Sequence, residues 1–120
     1  MDTKQLGRWG EDQAAKALRR KGYSIVERNF SCRSGEIDII AQNREFIVFA
    51  EVKLRKNADF AQAREFVTAA KQRRVIATAM LWLQRNPCQL QPRFDVIEVY
   101  APKGVKSLWP SIYHIEDAFC

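Results

Sequence analysis

The sequence has no long hydrophobic run. Nothing in it approaches the ~20 continuous apolar residues needed to cross a bilayer as a helix. Its first residues, Met1-Asp2-Thr3-Lys4-Gln5, lead into a charged amphipathic segment and not into the apolar core of a secretory signal. A cytoplasmic protein without a membrane partner is expected. Cysteine is scarce: Cys32, Cys88 and Cys120 are far apart, odd in number and match no CxxC spacing. That excludes a disulfide framework and a structural zinc site in favour of free thiols. Glycine and proline number only 5 and 4 and build no linker, repeat or phosphate-cradling loop. One domain over residues 1–120 follows. His114 is the only histidine, and a lone histidine is more often structural than catalytic.

What the chain does carry is positive charge. Lys and Arg number 20 against 14 Asp and Glu, a net charge of +6. A small domain so balanced suits a polyanion such as nucleic acid. The 47% apolar content is enough for one core without staples.

Periodicity orders the elements. A helix is expected over residues 4–21, with Leu6, Gly10, Ala14 and Ala17 as its apolar stripe and Gly22 as its stop. Glu11 lies on the flank of that stripe, beside the core. Strands follow over 23–30, 36–41 and 45–55. The third has apolar residues on both faces, as a covered central strand does. After a loop at 56–59, a long helix is expected over 63–85, with Phe66, Ala70, Ala77 and Leu81 buried. Strands at 93–100 and about 107–115 complete the order. The sequence α-β-β-β-α-β-β implies an α/β fold with helices on the faces of a mixed sheet of about five strands. Trp9, Trp82 and Trp109 could stack on bases, but their spacing favours packing. Asp95 is expected to join the polar cluster or to pair with Arg93 or a backbone amide.

The chemically informative stretch is Gly35-Glu36-Ile37-Asp38 followed by Glu51-Val52-Lys53. Strand alternation puts Glu36 and Asp38 on one face, and Glu51 and Lys53 on one face of the next strand. A hairpin loop centred between Asn43 and Arg44 sets Glu36 opposite Glu51 and Asp38 opposite Phe49. Three carboxylates and an ammonium then converge. Such carboxylates repel unless a cation joins them, and hard oxygen donors suit Mg²⁺ or Mn²⁺. A strand-end ion pair is the bland alternative. Lys71, Arg73 and Arg74, with Arg64, cluster on the long helix as candidate phosphate contacts, and Arg55 closes the third strand on the same reading.

Asp38 and Glu51-Val52-Lys53 resemble the PD-(D/E)xK signature of the restriction-endonuclease-like superfamily. Ile37 stands where that signature has proline, and Glu36 is an added acid. Nearly the whole chain resembles the small bacterial YraN-type proteins. The likeness rests on Gly7-Arg8-Trp9-Gly10-Glu11, Gly22-Tyr23, Arg28-Asn29, Gly35 through Ala41, Val48 through Lys53, Lys71-Gln72-Arg73-Arg74, Arg93-Phe94-Asp95-Val96 and His114 through Phe119. The layout is also similar to that of archaeal Holliday-junction resolvases. The resemblance implies a three-layer α/β/α nuclease core. In it Asp38, Glu51, the Val52 carbonyl and Glu11 would hold the metal, with Glu36 nearby, and Lys53 would be the catalytic lysine. It implies hydrolysis of DNA, branched or single-stranded. The alternative is a catalytically silent nucleic-acid-binding protein or DNA-processing accessory factor. A homodimer and a protein partner both stay open.

Overall fold

The computed structural model describes residues 3–55, 67–101 and 110–120. Helix α1 spans Thr3–Arg20. It buries Gly10, Ala14, Ala15 and Leu18, a stripe close to the expected one but turned toward Ala15 and Leu18. Its stop is built as the sequence implies. Gly22 takes φ 93°, the Gly22 amide donates to Arg19 O and the Tyr23 amide to Leu18 O, both at 3.0 Å. That pairing satisfies carbonyls the helix end would otherwise orphan.

Five strands form one sheet in the order β1-β2-β3-β4-β5: Ser24–Cys32, Gly35–Gln42, Phe46–Arg55, Gln91–Tyr100 and Ser111–Ile115. Only β3 and β4 run parallel; the other neighbours are antiparallel. Helix α2, Ala69–Arg85, lies between β3 and β4 in sequence, as a parallel crossover requires. The helices cover opposite faces. Val48, Ala50, Ile97 and Val99 pack with α1, and Ile47, Phe49, Phe94 and Val96 pack with α2. This is the expected three-layer α/β/α arrangement, with β3 covered on both sides. No helix among the described residues is long and apolar enough to cross a membrane.

Two expectations are corrected. The buried stripe of α2 is Val75, Thr78, Ala79 and Trp82, at i, i+3, i+4 and i+7. Ala70 and Ala77 are exposed and Leu81 only half-buried. Phe66, the start expected at 63, Arg64, Trp109, the loop at 56–59 and the first residues of the last strand lie outside the described residues. The β2–β3 register also differs. Ile39 pairs with Ala50 and Gln42 with Ile47, because the turn centres between Arg44 and Glu45. The Asn43 amide donates to Phe46 O, and Asn43 Oδ1 accepts from the Glu45 and Phe46 amides at 2.9 and 2.8 Å. That side chain mimics a backbone turn and fixes its position. Moving the centre by one residue slides the strands by two, which preserves the face of the paired residues, 39–42 and 47–50.

Candidate functional site

In this register Asp38, and not Glu36, comes alongside Glu51. Pairing of β2 with β3 stops at Ile39 and Ala50. Beyond that point the Asp38 carboxylate bridges the strands itself, its Oδ2 accepting from the Val52 amide at 2.8 Å. Asp38 also sits where alternation in β2 breaks, since Ile39 packs toward α1 while Ile37 joins Ile40 toward α2. Across from it on β1, Asn29 adopts φ 55°, a left-handed conformation that asparagine tolerates. The strands thus open at the level of the acids and leave a pocket of about 220 Å³ lined by Gly35, Glu36, Asp38, Glu51, Lys71, Arg74 and Val75.

Glu51 is only 4% exposed. Lys71 Nζ from α2 lies 3.7 Å from Glu51 Oε2, while Oε1 is buried with no hydrogen-bond partner. Burial raises the Glu51 carboxyl from its ordinary 4.5 to about 7, and the Asp38 charge adds to this against the pull of Lys71 and Lys53. Burial also lowers the Lys53 ammonium, and neighbouring Lys71 lowers it further. An acid pushed up and an amine pushed down, two residues apart on one strand, mark a site where environment works against solvation.

The other expected ligands are placed as follows. Glu11 is half-buried on α1; burial and the Asp38 charge raise its carboxyl while Arg28 opposes them. Its Oε1 is 3.4 Å from Arg28 Nη2, and it does not line the pocket. Glu36 stands exposed at the rim. The structure brings together two carboxylates and not three: among the described residues no three His, Cys, Asp or Glu side chains gather tightly enough to hold an ion alone. Asp95 pairs with Ala50 on the sheet face away from Glu51, and with His114 it forms a structural cluster with Arg93, Tyr23 and the Asp117 amide.

A second concavity, about 460 Å³ and open, shares Arg74 with the first. Its lining is Arg33, Ser34, Ala70, Arg73, Arg74 and Ala77. Ala70, Arg73, Arg74 and Ala77 repeat at i, i+3, i+4 and i+7 and so form one flank of α2. The alanines read from sequence as core are the floor of a groove walled by guanidinium groups. Arg33 and Ser34, at the β1–β2 turn, were not singled out by sequence; only their place in a polar turn hinted at them. Ser34 Oγ is 3.1 Å from Thr78 Oγ1, and Thr78 Oγ1 donates to Arg74 O at 2.8 Å, which pins the turn against the helix. Arg55 ends β3 and lines neither concavity.

Fold and pocket together define a three-layer α/β/α protein with an acid–lysine site where its central strands part. The chain belongs to the uncharacterised protein family UPF0102, whose model matches residues 10–99, so the resemblance to YraN-type proteins holds at the family level. It is 44% identical over 119 residues to a UPF0102 protein of Geotalea daltonii, covering 98% of this chain and 91% of that one. It is 42% identical over 120 residues to one of Caldanaerobacter subterraneus subsp. tengcongensis, covering 99% and 98%. A UPF0102 protein of Clostridium perfringens is 50% identical over 98 residues, covering 81% of this chain and 80% of that one.

Proposed function

We propose that this protein is a nuclease of the restriction-endonuclease-like superfamily, hydrolysing phosphodiester bonds in DNA with a divalent cation, Mg²⁺ or Mn²⁺. The observation that carries this is the buried Glu51 carboxyl, whose Oε1 lacks a partner while Asp38 and Lys53 crowd it. A buried acid kept beside another acid is costly without a cation. The donors fit: Mg²⁺ is commonly held by one or two carboxylates, with water and substrate phosphate completing its shell. Asp38 and Glu51 would hold it, with the Val52 carbonyl and Glu11, whose carboxyl feels the Asp38 charge, as further donors. When bound, such an ion supplies charge neutralisation at a phosphate and a nucleophilic water at neutral pH.

The protein's own groups do the rest. The Asp38–Val52 bond holds the acid in place before any ligand arrives. Lys53, with its ammonium lowered by burial, stands ready to donate to the oxygens that gain charge as water attacks the phosphorus. Arg74, shared by pocket and groove, leads from the acids to Arg33 and Arg73, which would take the flanking phosphates. That groove also favours the second reading, a DNA-binding accessory factor without turnover.

The test is direct. Purified protein is incubated with branched, single-stranded and duplex DNA, with Mn²⁺, with Mg²⁺ or with chelator, beside Asp38→Asn, which keeps the side chain's shape. Cutting that needs the cation and falls about a hundredfold or more in the variant supports the nuclease. Equal cutting by the variant refutes this site, and salt-sensitive binding without cutting selects the accessory factor.

A further inference from the structure

Lys71 occupies an odd place. It is in the first turn of α2, where its amide donates to the capping Thr68 Oγ1 at 3.1 Å. The positive end of a helix disfavours a cation there, and that turn holds no acid. Its backbone is fixed, but its side chain is about a third exposed and reaches across to Glu51, which is almost wholly buried. There its ammonium also lies near that of Lys53, and its charge lowers the Lys53 ammonium. Lys71 is thus the cation that meets Glu51 in a pocket whose lining also carries Glu36, Asp38 and Arg74.

A divalent ion on Asp38 and Glu51 would bring two more positive charges to a pocket that already holds Lys71 and Arg74. Lys53 belongs to a central strand. Lys71 reaches the pocket from α2, about a third exposed and paired with Glu51, next to Arg74 and the basic groove. We infer that Lys71 is a resident cation that holds Glu51 when no metal is bound, yields it when metal arrives, and then contacts the phosphate of the substrate. It is a positioning residue: it competes with the metal and cooperates with the anion. The inference rests on the metal site proposed above.

The consequence is a pair of opposite effects in one variant, read without turnover. Mn²⁺ binding to the intact chain is measured by calorimetry for wild type, Lys71→Gln, Lys71→Arg and Arg85→Gln. Lys71→Gln is expected to bind Mn²⁺ about tenfold more tightly than wild type, within the usual range for coupled sites. Lys71→Arg, which keeps the pair with Glu51, should stay near wild type. Arg85→Gln, which removes an equal charge from the far end of the same helix and lines neither concavity, should change little. With Ca²⁺ in place of Mn²⁺, Lys71→Gln is expected to bind a single-stranded oligonucleotide several-fold more weakly. If wild type and Lys71→Gln bind Mn²⁺ equally, the competition does not exist and the inference fails while the metal site stands. If neither binds it, the metal site fails and the inference with it. If Arg85→Gln tightens binding as much as Lys71→Gln, general charge and not the ion pair is responsible, which also overturns it.

Discussion

At the scale of single residues, Glu51 concentrates the conflict between stability and site. Burial, and then the Asp38 charge, raise its carboxyl from 4.5 to about 7. The unfolded chain therefore releases this proton before the folded one does. Stability is whole at acid pH, falls as pH rises from the lower value to the upper, and stays reduced above it. Glu51→Gln removes the titration and keeps the shape. In chelator at pH ~8 it is expected to be more stable than wild type by about 2 kcal/mol, several degrees in Tm, with little difference near pH 4. Thermal melts at both values check this, and a gain of the same size at both would show that the cost is not electrostatic. The residues in this conflict were legible because strand parity survives an error of register. Asp38, Glu51 and Lys53 share a face in either pairing, and only their opposite numbers changed. Lys71 was legible as a phosphate contact from the cluster of cations on its helix, but not as the partner of Glu51, since no periodicity says that a first-turn lysine bends back into a sheet.

At the scale of elements, one buried carboxylate ties the far side of the sheet together. Asp95 on β4 is fully buried. It accepts from Arg93 Nε at 2.9 Å and Nη2 at 2.8 Å, lies 2.6 Å from His114 Nε2 on β5, and accepts from the Asp117 amide at 3.0 Å. Arg93 in turn donates to Tyr23 at the end of α1. Burial would raise the Asp95 carboxyl, but bonds from His114, Arg93 and the Asp117 amide outweigh it and hold it low. Its ionised form thus contributes stability above the ordinary carboxylate range and loses it as pH falls through the lowered value. Asp95→Asn, which strands Arg93 in the interior, is expected to cost about 3 kcal/mol at neutral pH in urea melts, with the deficit narrowing below pH ~4. A neutral substitution throughout would mean the network only fills space. Element identity was legible from periodicity, and Gly22 and Asn43 carried their own turn chemistry. What was not legible was which flank of α2 is buried. Alanine favours helices wherever it sits, so Ala70 and Ala77 carry little information about burial, whereas Thr78 is buried because its hydroxyl donates back to Arg74 O.

At the scale of the whole molecule, the question is what a net charge of +6 is for. Charge alone says only that a polyanion is welcome. The fold gives it direction, because the β1–β2 turn and one flank of α2 set Arg33, Arg73 and Arg74 around an open groove that meets the acid pocket at Arg74. A strand lying along it would present successive phosphates to the arginines and one to the acids. Arg33 and Arg73 are exposed and line only the groove, so their replacement should leave both the core and the Mn²⁺ affinity alone. The Arg33→Gln, Arg73→Gln double variant is expected to melt within ~0.5 kcal/mol of wild type. Its binding to single-stranded DNA should weaken, and the slope of log affinity against log salt should become shallower by about 1.5, since each lost phosphate contact releases fewer counterions. An unchanged slope would place the nucleic acid elsewhere on the surface, and the acids would then face a substrate arriving by another path.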